Sequence, residues 1–217
     1  MSAKKELHFY PGEKRLVLLE GSRVLVSAEA WGGPEHVILH KNAMAQGPTD
    51  AGRFVIGWVG KYHTGSWPWS KIQWGTALRD ISTDVYFENS SGTWSSIKKD
   101  FGITRDAIMK QHYALYGKKN VPPTWIFNDF GPQAIRYYVD SNRNGKQDKS
   151  ENLSGEMFHT TPDNEAQQAR GQSLHMTESH GCIHMKPLER DTLKTKGAFD
   201  LGRTLIIHSY TDRFKHP

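Results

Sequence analysis

Ser179-His180-Gly181-Cys182-Ile183-His184 is the stretch of this 217-residue chain best equipped for chemistry, and Cys182 is its only cysteine. A lone thiol makes no intramolecular disulfide and no multi-cysteine zinc site, which leaves buried filler, a one-sulfur metal ligand, or a nucleophile. Gly181 clears a side chain from the position before the sulfur, so backbone N–H groups and an incoming carbonyl can approach closely. His159, His175, His180 and His184 could each lower the thiol pKa or take its proton, and the thiolate is the reactive form. Buried filler needs neither the glycine nor the imidazoles. A metal site is the other rival: on a strand His180, Cys182 and His184 would alternate onto one face, with His175 as the one marked fourth ligand. That reading gives Gly181 no purpose.

Ser179-His180-Gly181-Cys182-Ile183 resembles the signature of the L,D-transpeptidase catalytic domain of bacterial peptidoglycan enzymes. That signature is an upstream histidine followed, after a loop, by Ser/Thr-His-Gly-Cys, a hydrophobic residue, and usually Asn or Arg. His184 replaces the last residue, a departure that touches substrate and loop contacts but not the nucleophile. Gly47-Pro48-Thr49-Asp50-Ala51-Gly52-Arg53-Phe54 is similar to the family's Thr-Pro-x-Gly-x-Phe turn and strand, with about one residue inserted. The likeness covers both ends of the chain and thins out from about Thr64 to Tyr138.

The resemblance implies an upstream histidine in a Phe/Ile-His-Gly/Ser/Thr context, which Phe158-His159-Thr160 fits. His175 competes, although its closeness to Cys182 suits the turn leading in, and unmatched histidines such as His63 remain open. The implied orienter of the imidazole is the carbonyl of Thr160. Ser179, His180, His184 and His175 are the implied substrate contacts. In the implied reaction Cys182 attacks the carbonyl of an L,D linkage in a peptidoglycan stem peptide, and N–H groups around Gly181 and Cys182 hold the oxyanion. An amine, a free D-amino acid or water then resolves the thioester, giving a cross-link, exchange or L,D-carboxypeptidase activity. A cysteine peptidase or amidase on another wall bond, and a non-catalytic wall- or calcium-binding module, stand as alternatives.

Asp140 to Glu151 matches the calcium-loop pattern D-x-N-x-N-G-x5-E. Its candidate donors are Asp140, Asn142, Asn144, Asp148 and Glu151, with Lys146 at the intervening position that ligates through its backbone carbonyl. The preceding Ala134 to Val139 reads as a strand, so this is no helix-loop-helix unit, and Arg143, Lys146 and Lys149 dilute the negative charge. A polar hairpin turn is the plainer reading, since Asn-Gly favours one. Any calcium would be structural, because acyl transfer through a thiolate needs no cofactor.

The elements that must position these residues read as mainly β. Leu16 to Leu19, Gly21-Ser22 and Val24 to Val26 form a hairpin pattern. Thr104 to Gly117 reads as a helix, capped by Thr104 and ended by Gly117 before Val121-Pro122-Pro123. Pro162 to Gly171 is polar enough to be a loop extension. Leu188 to Leu193 is a short helix entered through Pro187, and Arg203 to His208 a last strand. Trp67, Trp69, Trp74 and Trp94, with Tyr62 and Tyr86, are mostly core, with a few available to line a groove for glycan. The expected fold is a β-sandwich or barrel with one or two inserted helices, a single domain over 1–217 with an atypical insertion around 64–138. A formal charge of +5 without a Lys/Arg cluster points to a solvated basic surface rather than nucleic acid.

Met1 to Glu6 shows no apolar signal-peptide core, and no stretch is long enough to cross a membrane. Peptidoglycan lies outside the cytoplasm. Either a leader was trimmed, or the chain is made in the cytoplasm and leaves by another route. The second case suits an antibacterial effector carried into a neighbour's periplasm by a machine such as type VI secretion, with an immunity protein or a component of that machine as partner.

Overall fold

The structure, a computed structural model, describes residues 3–41 and 44–215. In chain order its elements are β1 (Lys5–Tyr10), β2 (Arg15–Glu20), β3 (Arg23–Trp31), β4 (Gly52–Gly60), β5 (Leu78–Ile81), β6 (Asp84–Glu88), β7 (Trp94–Ser96), α1 (Ile97–Phe101), α2 (Arg105–Tyr116), β8 (Ala134–Tyr138), β9 (Leu153–His159), α3 (Pro162–Ala169), β10 (Ile183–Met185), α4 (Pro187–Thr195) and β11 (Thr204–Ile207). These group into two units. One holds the described residues of Met1–Gly60, Ile135–His159 and His175–Pro217, the other Lys61–Ala134 and Thr160–Leu174.

In the first unit the strands close into a barrel in the order β1-β11-β4-β8-β9-β10-β3-β2. Closure pairs each strand on both sides and leaves no edge for another chain to add to. Alternation along the strands sends Leu7, Phe9, Leu16, Leu18, Ile56, Ile135, Phe158, Ile183 and Ile207 into one buried core. Each such side chain stabilises the fold by about 1.5–3 kcal/mol relative to exposure. Tyr137 is fully buried within that core, its ring 4.9 Å from Phe54 and 5.9 Å from Phe158. The hairpin expected from Leu16 to Val26 is β2–β3, antiparallel with a register shift between Leu18 and Leu19.

β9 and β10 are parallel neighbours. Parallel strands require a long crossover, which residues 160–182 supply. Pro162 to Gly171 is not the polar loop expected but contains α3. The Thr161 hydroxyl caps it by accepting from the Asn164 N–H at 3.2 Å, and Pro162 opens it, where the missing N–H costs nothing. Pro162, Asn164 and Ala166 are its buried residues. Cap and proline outweigh the polarity of the remaining residues.

The second unit carries the sheet β5-β6-β7 with α1, α2 and α3 around a core that includes Ile72, Val85, Ile97, Ile108, Trp125 and Phe127. α2 is the helix read from Thr104 to Gly117. Thr104 accepts from the Ala107 N–H at 3.2 Å, and Gly117 ends the helix at φ 70°. Trp69 stacks on Trp125 at 5.5 Å, a core role, whereas Trp67 is exposed. The chain is mainly β with a barrel core and few helices, as the sequence implies. Among the described residues no helix is long and apolar enough to cross a membrane.

Candidate active site

Cys182 closes the turn that leads into β10. The parallel register places Ile183 opposite Phe158 and His184 opposite His159, so Cys182 falls level with Met157. Met157 and His159 share one face of β9 by the two-residue period of a strand. His159 is buried, and its ring lies 4.7 Å from that of His184 at 76°. Burial pushes the Cys182 thiol up to about 11, opposed by a main-chain hydrogen bond at Met157 and reinforced by the Glu156 carboxylate.

The turn is tied down on several sides. Ser179 is buried; its hydroxyl accepts from the Gly181 N–H at 3.0 Å and donates to the Cys182 carbonyl. The Ser179 N–H donates to the Gly32 carbonyl at 3.1 Å. The Thr49 hydroxyl donates to the Gly181 carbonyl at 2.8 Å and accepts from the Gly33 N–H at 3.0 Å. Tyr210 completes the set, its hydroxyl accepting from the Thr49 N–H at 3.0 Å and donating to the Gly33 carbonyl at 2.7 Å. The backbones meet so closely that a Cβ on Gly33 would lie 1.8 Å from the Gly47 carbonyl oxygen. Segments 32–33, 47–50 and 179–182 are therefore one hydrogen-bonded platform.

Gly181 has φ +110°, and a Cβ there would lie 2.6 Å from Glu156 Oε1. The glycine is thus required by its backbone as well as by open access to the sulfur. Glu156 accepts from the Tyr137 hydroxyl at 2.9 Å and from the Asp50 N–H at 3.2 Å to each oxygen. Burial raises its pKa to about 7, with the Asp50 charge adding and the Tyr137 and Asp50 hydrogen bonds opposing.

His184 Nδ1–H donates to the Thr177 carbonyl at 3.1 Å. Burial lowers its pKa, that hydrogen bond opposes, and the charge of His180 adds to the lowering. His180 and His175 are exposed. Because β10 begins only at Ile183, His180 and Cys182 lie in the turn, and the alternation behind the metal reading of His180, Cys182 and His184 does not arise. Thr160 belongs to the second unit, buried, its hydroxyl donating to Glu165.

The 140–151 segment is a turn whose acidic groups bind its own backbone. Asp140 accepts from the N–H groups of Asn144 and Gly145 at 3.1 and 2.8 Å, and Glu151 from those of Ser141 and Asp148 at 2.7 and 2.9 Å. Asp148 accepts from the Asn142 and Asn144 side-chain amides, and the Lys146 N–H donates to Asn144 at 2.7 Å. Among the described residues no group of three or more His, Cys, Asp or Glu is arranged to hold a metal ion.

Sequence reasoning missed Glu156, Tyr137 and Tyr210 and read Thr49 only as part of a turn. One signal was available: Glu156 is a carboxylate inside a strand, directly before the apolar pair Met157-Phe158 that leads to His159.

The profile of the YkuD family, the L,D-transpeptidase catalytic domain, matches residues 4–193. Comparison with curated proteins gives no match. The chain is similar to a solved L,D-transpeptidase (residues 123–326) from Xylanimonas cellulosilytica DSM 15894, at 11% identity and TM-score 0.40, covering 96% of this chain and 62% of that one. It is also similar to L,D-transpeptidase 1 of Mycobacterium tuberculosis, at 12% identity and TM-score 0.36, covering 94% of this chain and 61% of that one. The chain thus spans about three fifths of the length of each.

Proposed function

The chain belongs to the YkuD family of L,D-transpeptidase catalytic domains, and from that premise we propose that it modifies peptidoglycan through a thioester on Cys182. The observation that carries the reading is the Ser179 to Cys182 turn, held by Ser179 and Thr49 at the entrance to β10, beside the strand that ends in His159. His159 takes the thiol proton as sulfur attacks the carbonyl of an L,D linkage in a tetrapeptide stem. The C–N bond breaks, the D-residue leaves as an amine carrying that proton, and the stem remains as a thioester. N–H groups around Cys182 supply the oxyanion donors, the Gly181 N–H being engaged by the Ser179 hydroxyl. An acceptor amine, a free D-amino acid or water then releases the acyl group, with His159 removing a proton from the attacking group.

Peptidoglycan fixes the compartment of this reading as the periplasm or cell wall. A finer proposal is an antibacterial effector acting in a target cell's periplasm, with an immunity protein as its partner. The deciding experiment is mass spectrometry of purified muropeptides after incubation with the protein, because product masses separate hydrolysis, exchange and cross-linking. Stem-derived mass on Cys182 is expected in the intact protein, and Cys182→Ala should form neither adduct nor product while keeping the wild-type melting curve. Products from Cys182→Ala would remove the mechanism. Cleavage away from the L,D bond would assign the pair to a peptidase or amidase.

A further inference from the structure

We propose that Glu156 is a positioning residue for Cys182: its carboxyl group holds the Gly181 turn in place, and its charge sets how readily the thiol becomes a thiolate. The inference rests on Cys182 being the nucleophile of the reaction proposed above.

The geometry carries the first half. Glu156 projects from β9 and is gripped by two other segments, through the Tyr137 hydroxyl on β8 and the Asp50 N–H ahead of β4. Its Oε1 occupies the space a side chain at position 181 would take, 2.6 Å from that Cβ. The carboxyl therefore fills the space beside Gly181 that any side chain there would need. Moving it would free the turn to shift, and with it the N–H groups assigned to the oxyanion.

The surroundings carry the second half. Among the described residues Tyr137 on β8, Asp50 before β4, Cys182 ahead of β10 and Tyr210 after β11 face Glu156, each of them neutral or negative, and His159 follows three residues along β9. Burial disfavours the carboxylate, the Asp50 charge adds to it, and the pKa rises to about 7. A carboxyl and a thiol in one partly desolvated site titrate as a coupled pair, so ionising one opposes ionising the other. Below pH 7 the neutral carboxyl keeps its place without penalising the thiolate. Above it the carboxylate acts as a brake, consistent with its contribution to the raised Cys182 thiol.

The lone cysteine makes the test direct. Alkylation of the intact protein by iodoacetamide, followed by mass from pH 5 to 10, reports on Cys182 alone. Glu156→Gln keeps the shape and an acceptor oxygen but never ionises. It should react about threefold or more faster than wild type at pH 8, with its profile moved to lower pH. The two should converge below pH 6, where Glu156 is already protonated. Tyr137→Phe is the second variant: losing a hydrogen bond to the carboxylate raises the Glu156 pKa further, so its thiol should outpace wild type between pH 7 and 8. Superimposable profiles for wild type and Glu156→Gln, or a slower Glu156→Gln at every pH, would overturn the proposal. If Glu156→Gln does not fold, an unshifted Tyr137→Phe profile overturns it. Alkylation needs no substrate, so a shifted profile without wall products would refute the proposed reaction and leave the coupling standing.

Discussion

Burial pushes the Cys182 thiol up to about 11, so at neutral pH it rests as the thiol rather than as a standing thiolate. The proton has to leave as the sulfur attacks, which demands an imidazole placed to take it. β9 ends in a buried imidazole, His159, the base of the proposed reaction, whereas His175 is exposed. His159→Ala should therefore lower the rate of product formation by about 10²- to 10⁴-fold, and His175→Ala should stay within a few-fold of wild type. The reverse ranking would move the base without changing the reaction class. The candidate nucleophile was legible because a lone cysteine after glycine is a local pattern. Glu156, Tyr137 and Tyr210 were not, because their roles exist only once β8, β9 and the segment after β11 are brought around the Gly181 turn.

Elements with a local code were readable from residues alone. Thr104 and Gly117 bracket α2, the apolar alternation marks β2 and β3, and Pro187 opens α4. α3 was misread because its helix signal lies in the Thr161-Pro162 start rather than in an apolar stripe. β5 to β7 were not identified, since short strands of mixed polarity follow no period that turns would not also produce. The turn after β8 poses a different problem, a full calcium-donor sequence whose oxygens are engaged by its own N–H groups. Calcium binding there is a proposal with a thermodynamic test, because the ion would have to replace those bonds with coordination by Asp140, Asn142, Asn144, Asp148 and Glu151. Binding to the native state alone should raise the melting temperature by mass action, about 2.7 kcal/mol at a hundredfold excess over Kd. Asp140→Ala should abolish the rise. Melting curves identical with calcium and with chelator would leave a self-sufficient polar turn.

The protein as a whole brings a surplus of basic groups, +5 at neutral pH, to a proposed substrate that is an extracytoplasmic polymer. That charge alone chooses no partner, since scattered surface cations are also what keeps a protein dissolved. Compartment discriminates better. If the chemistry is acyl transfer from peptidoglycan stems, the protein has nothing to act on in the cytoplasm and a continuous supply of donor in the periplasm. Expression in a bacterial cytoplasm should therefore be tolerated, while the same chain behind a periplasmic leader should cause rounding or lysis. The damage should require Cys182, because without the sulfur no thioester forms. It should coincide with altered or depleted tetrapeptide stems in the wall, which ties toxicity to the reaction rather than to overexpression. An immunity protein, if the effector proposal holds, should suppress the damage only when it shares the periplasm. Equal toxicity in both compartments would point to a substrate other than peptidoglycan. Clear cross-linking in vitro without damage in either would instead assign the chain to maintenance of its own cell's wall.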